Sequence, residues 1–218
     1  MRALDAMRAT TPCDRVLEPV TGAHEAGSLH PLLAHRRSLR ALGGDRVPDA
    51  VLTRLIEAAR WAPSSRNEQP WRFVVVRRED SSAHAAAADV LTHRNRLWAP
   101  QAPLLMLGLA RLTLGDGKPN LHAHNDLGQA VAHLTVQAMA EGLAVHQMGG
   151  FDRVRAREVF GVPENCEPMV MLAVGYPGEA ADLPEELRAQ ETAPRARRPL
   201  GEIAFEGRFG VPLEPMPT

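Results

Sequence analysis

Aromatic side chains are scarce in this 218-residue chain, at 4% of the sequence, and there are only two cysteines, Cys13 and Cys166. With so few aromatics, no base-stacking platform for nucleic acid can be assembled. Trp71-Arg72-Phe73 sits inside an apolar run and does not make one. Two distant cysteines without a neighbouring Cys or His at ligand spacing exclude a disulfide scaffold and a structural zinc site, and they suit a reducing cytoplasm. Charge of one sign is also missing: Lys+Arg 25 against Asp+Glu 26 leave a formal net charge of −1, so any anion must be held locally. No apolar stretch approaches the ~20 residues of a spanning helix. The N-terminus has no continuous apolar segment of the kind a signal peptide carries. Lys118 is the only lysine. That arginine bias reads as genome composition, and only particular arginines carry a functional argument.

What is present is a chain with 44% hydrophobic residues, long enough for one sizeable core. Residues 1–28 show no sustained periodicity and read as a poorly anchored arm, with a single domain over 29–218. The pattern predicts a short helix over 32–37, then a stronger one over 50–61 capped by Asp49 and stopped at Pro63. Further helices are expected over 81–91, 124–142 and 153–160, the long one at the centre. Strands are expected over 71–77, 104–109, 143–148 and 168–175. Beyond Pro177 prolines interrupt the pattern, and the apolar residues of 178–218 call for a partner surface to cover.

Three segments can carry chemistry. Arg36-Arg37-Ser38-Leu39-Arg40 offers guanidinium forks and a hydroxyl; in an extended stretch Arg36, Ser38 and Arg40 line one side, as phosphate binding requires. Pro63-Ser64-Ser65-Arg66-Asn67-Glu68-Gln69-Pro70-Trp71 is a turn with hydroxyls and carboxamides, able to meet alternating donors and acceptors on a heterocycle. Gln147-Met148-Gly149-Gly150-Phe151-Asp152 ends a strand in paired glycines, where backbone can approach a flat ligand. No dinucleotide fingerprint occurs. His122, His124, His133 and His146 do not fall at metal-ligand spacings, and no metal is expected.

In this order the three motifs, R-R-S-x-R at 36–40, A-R-W-A-P-S-S-x-N-x-Q-P-W at 59–71 and H-Q-M-G-G-F-D at 146–152, resemble the nitroreductase family of flavin enzymes. The resemblance runs from about His30 to Phe209. It implies an α+β fold, a central mostly antiparallel sheet flanked by helices, in an intertwined homodimer whose tail wraps the partner. It also implies FMN as cofactor and NADH or NADPH as donor to an electron-poor small-molecule acceptor, with no catalytic side chain. Arg36, Arg37, Ser38 and Arg40 would then hold the phosphate, ribityl and pyrimidine oxygens. Pro63, Ser64, Ser65 and Asn67 would close over the flavin from the other subunit, and Asn95 would meet the pyrimidine side. Gln147, Met148, Gly149 and Gly150 would lie along the ring, with His146 nearby, and either Arg197 or Arg198 would be a C-terminal phosphate ligand. Gly149 stands where several such enzymes carry a glutamate, which bears on substrate preference. Dehalogenation, flavin fragmentation and a non-catalytic FMN carrier are the alternatives this resemblance leaves open.

Overall fold

A computed structural model describes residues 29–213; the N-terminal arm therefore lies outside the described residues. Four strands form one sheet in the order β1-β2-β4-β3, with β1 Trp71–Arg77, β2 Leu104–Arg111, β3 Ala144–Met148 and β4 Cys166–Gly175. All three pairings are antiparallel, as expected. β2 runs two residues past its expected end and β4 starts two residues early, and their pairing includes a bulge: Gly108 pairs with Val170 but Leu109 with Pro168. Pro168 lacks the N–H a regular ladder needs, so an irregularity there is where a proline fits.

The central strand β2 is apolar throughout, and its alternating side chains feed a core on each face. On one face Leu104 and Met106, with Leu172 and Val174 of β4, pack against helices α2 (Asp49–Arg60) and α5 (Ala123–Ala140). The stripe predicted for the long helix is the one that is buried: Leu127, Val131, Leu134 and Ala138. On the other face Leu105 and Leu107, with Met171 and Ala173, pack against α3 (Ser81–Asp89), Trp98 and α6 (Arg153–Val159). Two short helices complete this frame, α1 (Pro31–Ala34) and α4 (His93–Arg96).

Three expectations are corrected. The first helix ends at Ala34, not Arg37, because the Arg195 guanidinium takes the Ala34 and Arg36 carbonyls in place of helical N–H groups. Asp49 is the first helical residue and not the cap, which is Pro48. Its carboxylate pairs with Arg46 at 2.9 Å and Arg77 at 2.8 Å instead of an orphan helix N–H. The tail is not wholly irregular either: α7 (Glu185–Thr192) packs on this chain's own core through Leu187, with Leu183 just before it. Leu200, Ile203 and Phe209 remain exposed, the last at 90%.

Candidate functional site

Arg36, Ser38 and Arg40 lie in a stretch outside any helix or strand, with a bend at Arg40, beside the edge strand β3. The His146 ring on β3 meets the Leu39 carbonyl at 3.1 Å. A carbonyl only accepts, so Nδ1 of His146 carries the proton and Nε2 is left as an acceptor. Burial, which the nearby Arg40 and Arg36 charges reinforce against the hydrogen bond to Leu39, pushes His146 down to about 4. The ring is therefore neutral at pH 7 and packs against Trp98, with centroids 4.4 Å apart and the planes tilted by 44°.

Beside it stands a group of like charges. Burial lowers the pKa of Arg36, and the Arg197 charge lowers it further. Arg195 is lowered by burial and then by Arg37, Arg197 and Arg36. Four guanidiniums thus press on one another, a geometry that an anion relieves. Arg36 Nη1 also reaches Ser38 Oγ at 3.3 Å. Two of the expected ligands have other tasks. Arg37 donates to the Glu191 and Ala193 carbonyls at 3.0 and 2.8 Å, closing the end of α7. Arg40 donates its backbone N–H to Glu191 at 2.8 Å, and its side chain lies 3.8 Å from the same carboxylate. Of the C-terminal pair, Arg197 faces the cluster while Arg198 pairs with Glu202 at 3.1 Å.

Next along the β3 edge are the paired glycines. The Gly150 carbonyl accepts three donors: Thr92 N at 3.0 Å, Thr92 Oγ1 at 3.1 Å and Asn95 Nδ2 at 2.9 Å. Asn95 thus spends its amide on pinning the glycine backbone of its own chain. A Cβ on Gly150 would stand 2.9 Å from both side chains, whereas one on Gly149 meets nothing within 4 Å. Met148 is buried in the core, so only its backbone can line a ligand, and Gln147 is exposed.

The motif at 59–71 lies elsewhere. Ser64, Ser65 and Asn67 precede β1, at the opposite edge of the sheet, three strand spacings or ~14 Å from β3. Their turn is strained: Arg66, Asn67 and Gln69 have φ of 54°, 57° and 48°. Such left-handed non-glycine residues persist only where surroundings hold them. Here Ser64 Oγ accepts from Gln69 N at 3.0 Å, and Asp126 Oδ2 on α5 accepts from Ser65 N at 3.1 Å. Pro63 is exposed at the exit from α2. No hydrogen bond or salt bridge joins this turn to the arginine cluster among the described residues.

Residues 33–176 match the model of the nitroreductase family. A solved oxidoreductase containing FMN superposes with a TM-score of 0.82 at 33% identity, covering 89% of this chain and 99% of that one. The chain belongs to the nitroreductase family. Among curated relatives, an uncharacterized 15.4 kDa protein of Mycolicibacterium smegmatis is 35% identical over 148 residues, 65% of this chain and 99% of its own. An NADH dehydrogenase of Thermus thermophilus is 31% identical over 172 residues, 66% of this chain and 84% of its own.

Within this member of the family, three groups carry no clear signal in the sequence. Arg195 is in the same R-A-R-R run as Arg197; alternation in an extended stretch puts the two on one side and Arg198 on the other. Glu191 and Asp126 are buried carboxylates, 8% and 2% exposed, and one sequence gives no signal that separates them from surface acids. Among the described residues no cluster of metal-binding side chains occurs, and no helix is long and apolar enough to cross a membrane.

Proposed function

We propose that this chain is an NAD(P)H-dependent oxidoreductase that holds FMN at the β3 edge and passes electrons to a neutral, electron-poor acceptor such as a quinone or nitroaromatic. The observation that carries the reading is the Arg36–Arg195–Arg197 group, like charges close enough to lower one another's pKa, on the chain that runs beside β3, the strand that ends in the open Gly149 backbone. Those residues fit the cofactor: the guanidiniums and Ser38 meet the needs of a phosphate monoester, and Gly149 leaves room for a flat ring. When bound, FMN supplies two-electron transfer between nicotinamide and acceptor. The protein's part is to bind and orient. Arg36, Arg195 and Arg197 hold the phosphate. Thr92 and Asn95 lock the Gly150 carbonyl and so hold the glycine backbone in place at the end of β3. Gly149 keeps the approach free of side chain and charge, so a planar acceptor can stack in a near-attack geometry. No side chain acts as acid or base.

The reading includes a homodimer in which the Ser64–Asn67 turn of one copy closes the β3-edge site of the other. Two features support it. The turn lies at the wrong edge to serve its own chain. An open groove of about 710 Å³ between α1, α2 and α5, lined by Leu33, Trp61 and Val136, also leaves Trp61 73% exposed. The test is the visible spectrum of the purified protein, identification of the flavin released on denaturation, and bleaching on anaerobic addition of NADH or NADPH. FAD in place of FMN, a reconstituted protein without flavin absorbance, or a flavin that neither nucleotide reduces would overturn it. Sedimentation tests the dimer: a stable, FMN-loaded monomer is the adverse result.

A further inference from the structure

The arginines that make the anion site come from two segments far apart in sequence, 34–41 and 191–197, and the structure stitches these segments together in both directions. From the first to the second, Arg37 donates to the Glu191 and Ala193 carbonyls. From the second to the first, the Arg195 guanidinium donates to the Ala34 and Arg36 carbonyls. The one carboxylate in this seam is Glu191, on the last turn of α7. Its Oε1 accepts from two successive backbone N–H groups, Arg40 at 2.8 Å and Ala41 at 3.0 Å, while Oε2 faces the Arg40 guanidinium at 3.8 Å. Burying a carboxylate is costly unless it is compensated, and here Oε1 takes two hydrogen bonds while Oε2 has the opposite charge of Arg40 within ion-pair range.

What this carboxylate opposes is also on the page. Arg36, Arg195 and Arg197 repel one another, and two of the three ride on the segment that α7 carries. Leu187 anchors α7 in the core one helical turn earlier, without help from the seam. The end of the helix, though, has little apolar hold: Thr192, Ala193 and Pro194 are exposed. We infer that Glu191 is a positioning residue which, by gripping the Arg40 and Ala41 amides, sets the spacing at which Arg195 and Arg197 meet Arg36 around one phosphate. This rests on the flavin reading above. It assigns to Glu191 no contact with the ligand.

The test compares two ligands that share a ring and differ in the phosphate. FMN and riboflavin are titrated by fluorescence quenching against the full-length protein and against Glu191→Ala and Glu191→Gln. In the wild type FMN should bind far more tightly than riboflavin. Glu191→Ala should weaken FMN at least tenfold and leave riboflavin within about twofold. Glu191→Gln keeps an oxygen for the two amides but not the charge opposite Arg40, and should fall between. A residue that merely stabilised the fold would weaken both flavins alike, so equal losses overturn the inference, as does unchanged FMN affinity in both variants. If Glu191→Ala does not fold, Glu191→Gln decides alone, on whether the ratio of the two dissociation constants changes by threefold or more. A wild-type protein that binds riboflavin as tightly as FMN, or neither, overturns the flavin-phosphate reading itself and this inference with it, a result separable from the variants' behaviour.

Discussion

The two edges of the sheet handle their polar groups in opposite ways. At the β3 edge, arginines from distant segments are drawn together on one chain, with buried Glu191 and neutral His146 holding the backbone that carries them. At the β1 edge, the Ser64–Asn67 turn is held in a left-handed, strained shape by Asp126 and by its own side chains. Among the described residues no hydrogen bond joins it to the arginine cluster. In the proposed dimer the strained turn would be the donating half of a shared site, and the β3 edge, with the charge and the open floor, the receiving half.

Acid should separate the edges most. The His146 pKa is depressed to about 4 in the folded chain from an ordinary 6.5, so the unfolded state binds the proton more readily between those values. The stability this neutral ring contributes is fully present above about 6.5 and is lost as pH falls towards 4, up to ~3 kcal/mol. Urea unfolding at pH 7.5, 6.0 and 4.5 should show the loss, and His146→Asn should remove most of the slope. A slope unchanged in that variant would place the acid lability elsewhere, outside the β3 edge.

Arg36→Ala removes a charged ligand at the β3 edge and should weaken FMN by ~1.5–3 kcal/mol, about ten- to a hundredfold, with riboflavin little affected. Its counterpart at the β1 edge is Asp126→Ala, which orphans the Ser65 amide and should cost ~1–3 kcal/mol of stability. If the turn serves a second copy, that variant should also speed flavin release in the dimer. Flavin release at the wild-type rate would detach the turn from the site.

The smallest effect sharpens the comparison within one edge. Gly149→Glu enters open space and should change stability by less than ~0.5 kcal/mol, whereas Gly150→Ala must push aside Asn95 and Thr92 and should be clearly destabilising. Gly149→Glu should still lower kcat/KM for an anionic acceptor more than for a neutral one, by like-charge repulsion near the ring. Equal losses for the two acceptors would show that Gly149 does not face them.

Local pattern was enough to place the four strands and the main helices within a few residues, because each buries a face whose period is written in the order of apolar side chains. The family too was legible, since its motifs are contiguous. What only the tertiary structure decided are relations between residues far apart: that Arg37 closes a helix, that Arg195 and Arg197, not Arg198, stand with Arg36, and that Glu191 and Asp126 are buried beneath backbone amides. Periodicity reports which face of an element is buried, but not which distant segment covers it, and a carboxylate's role is set by the donors that segment brings.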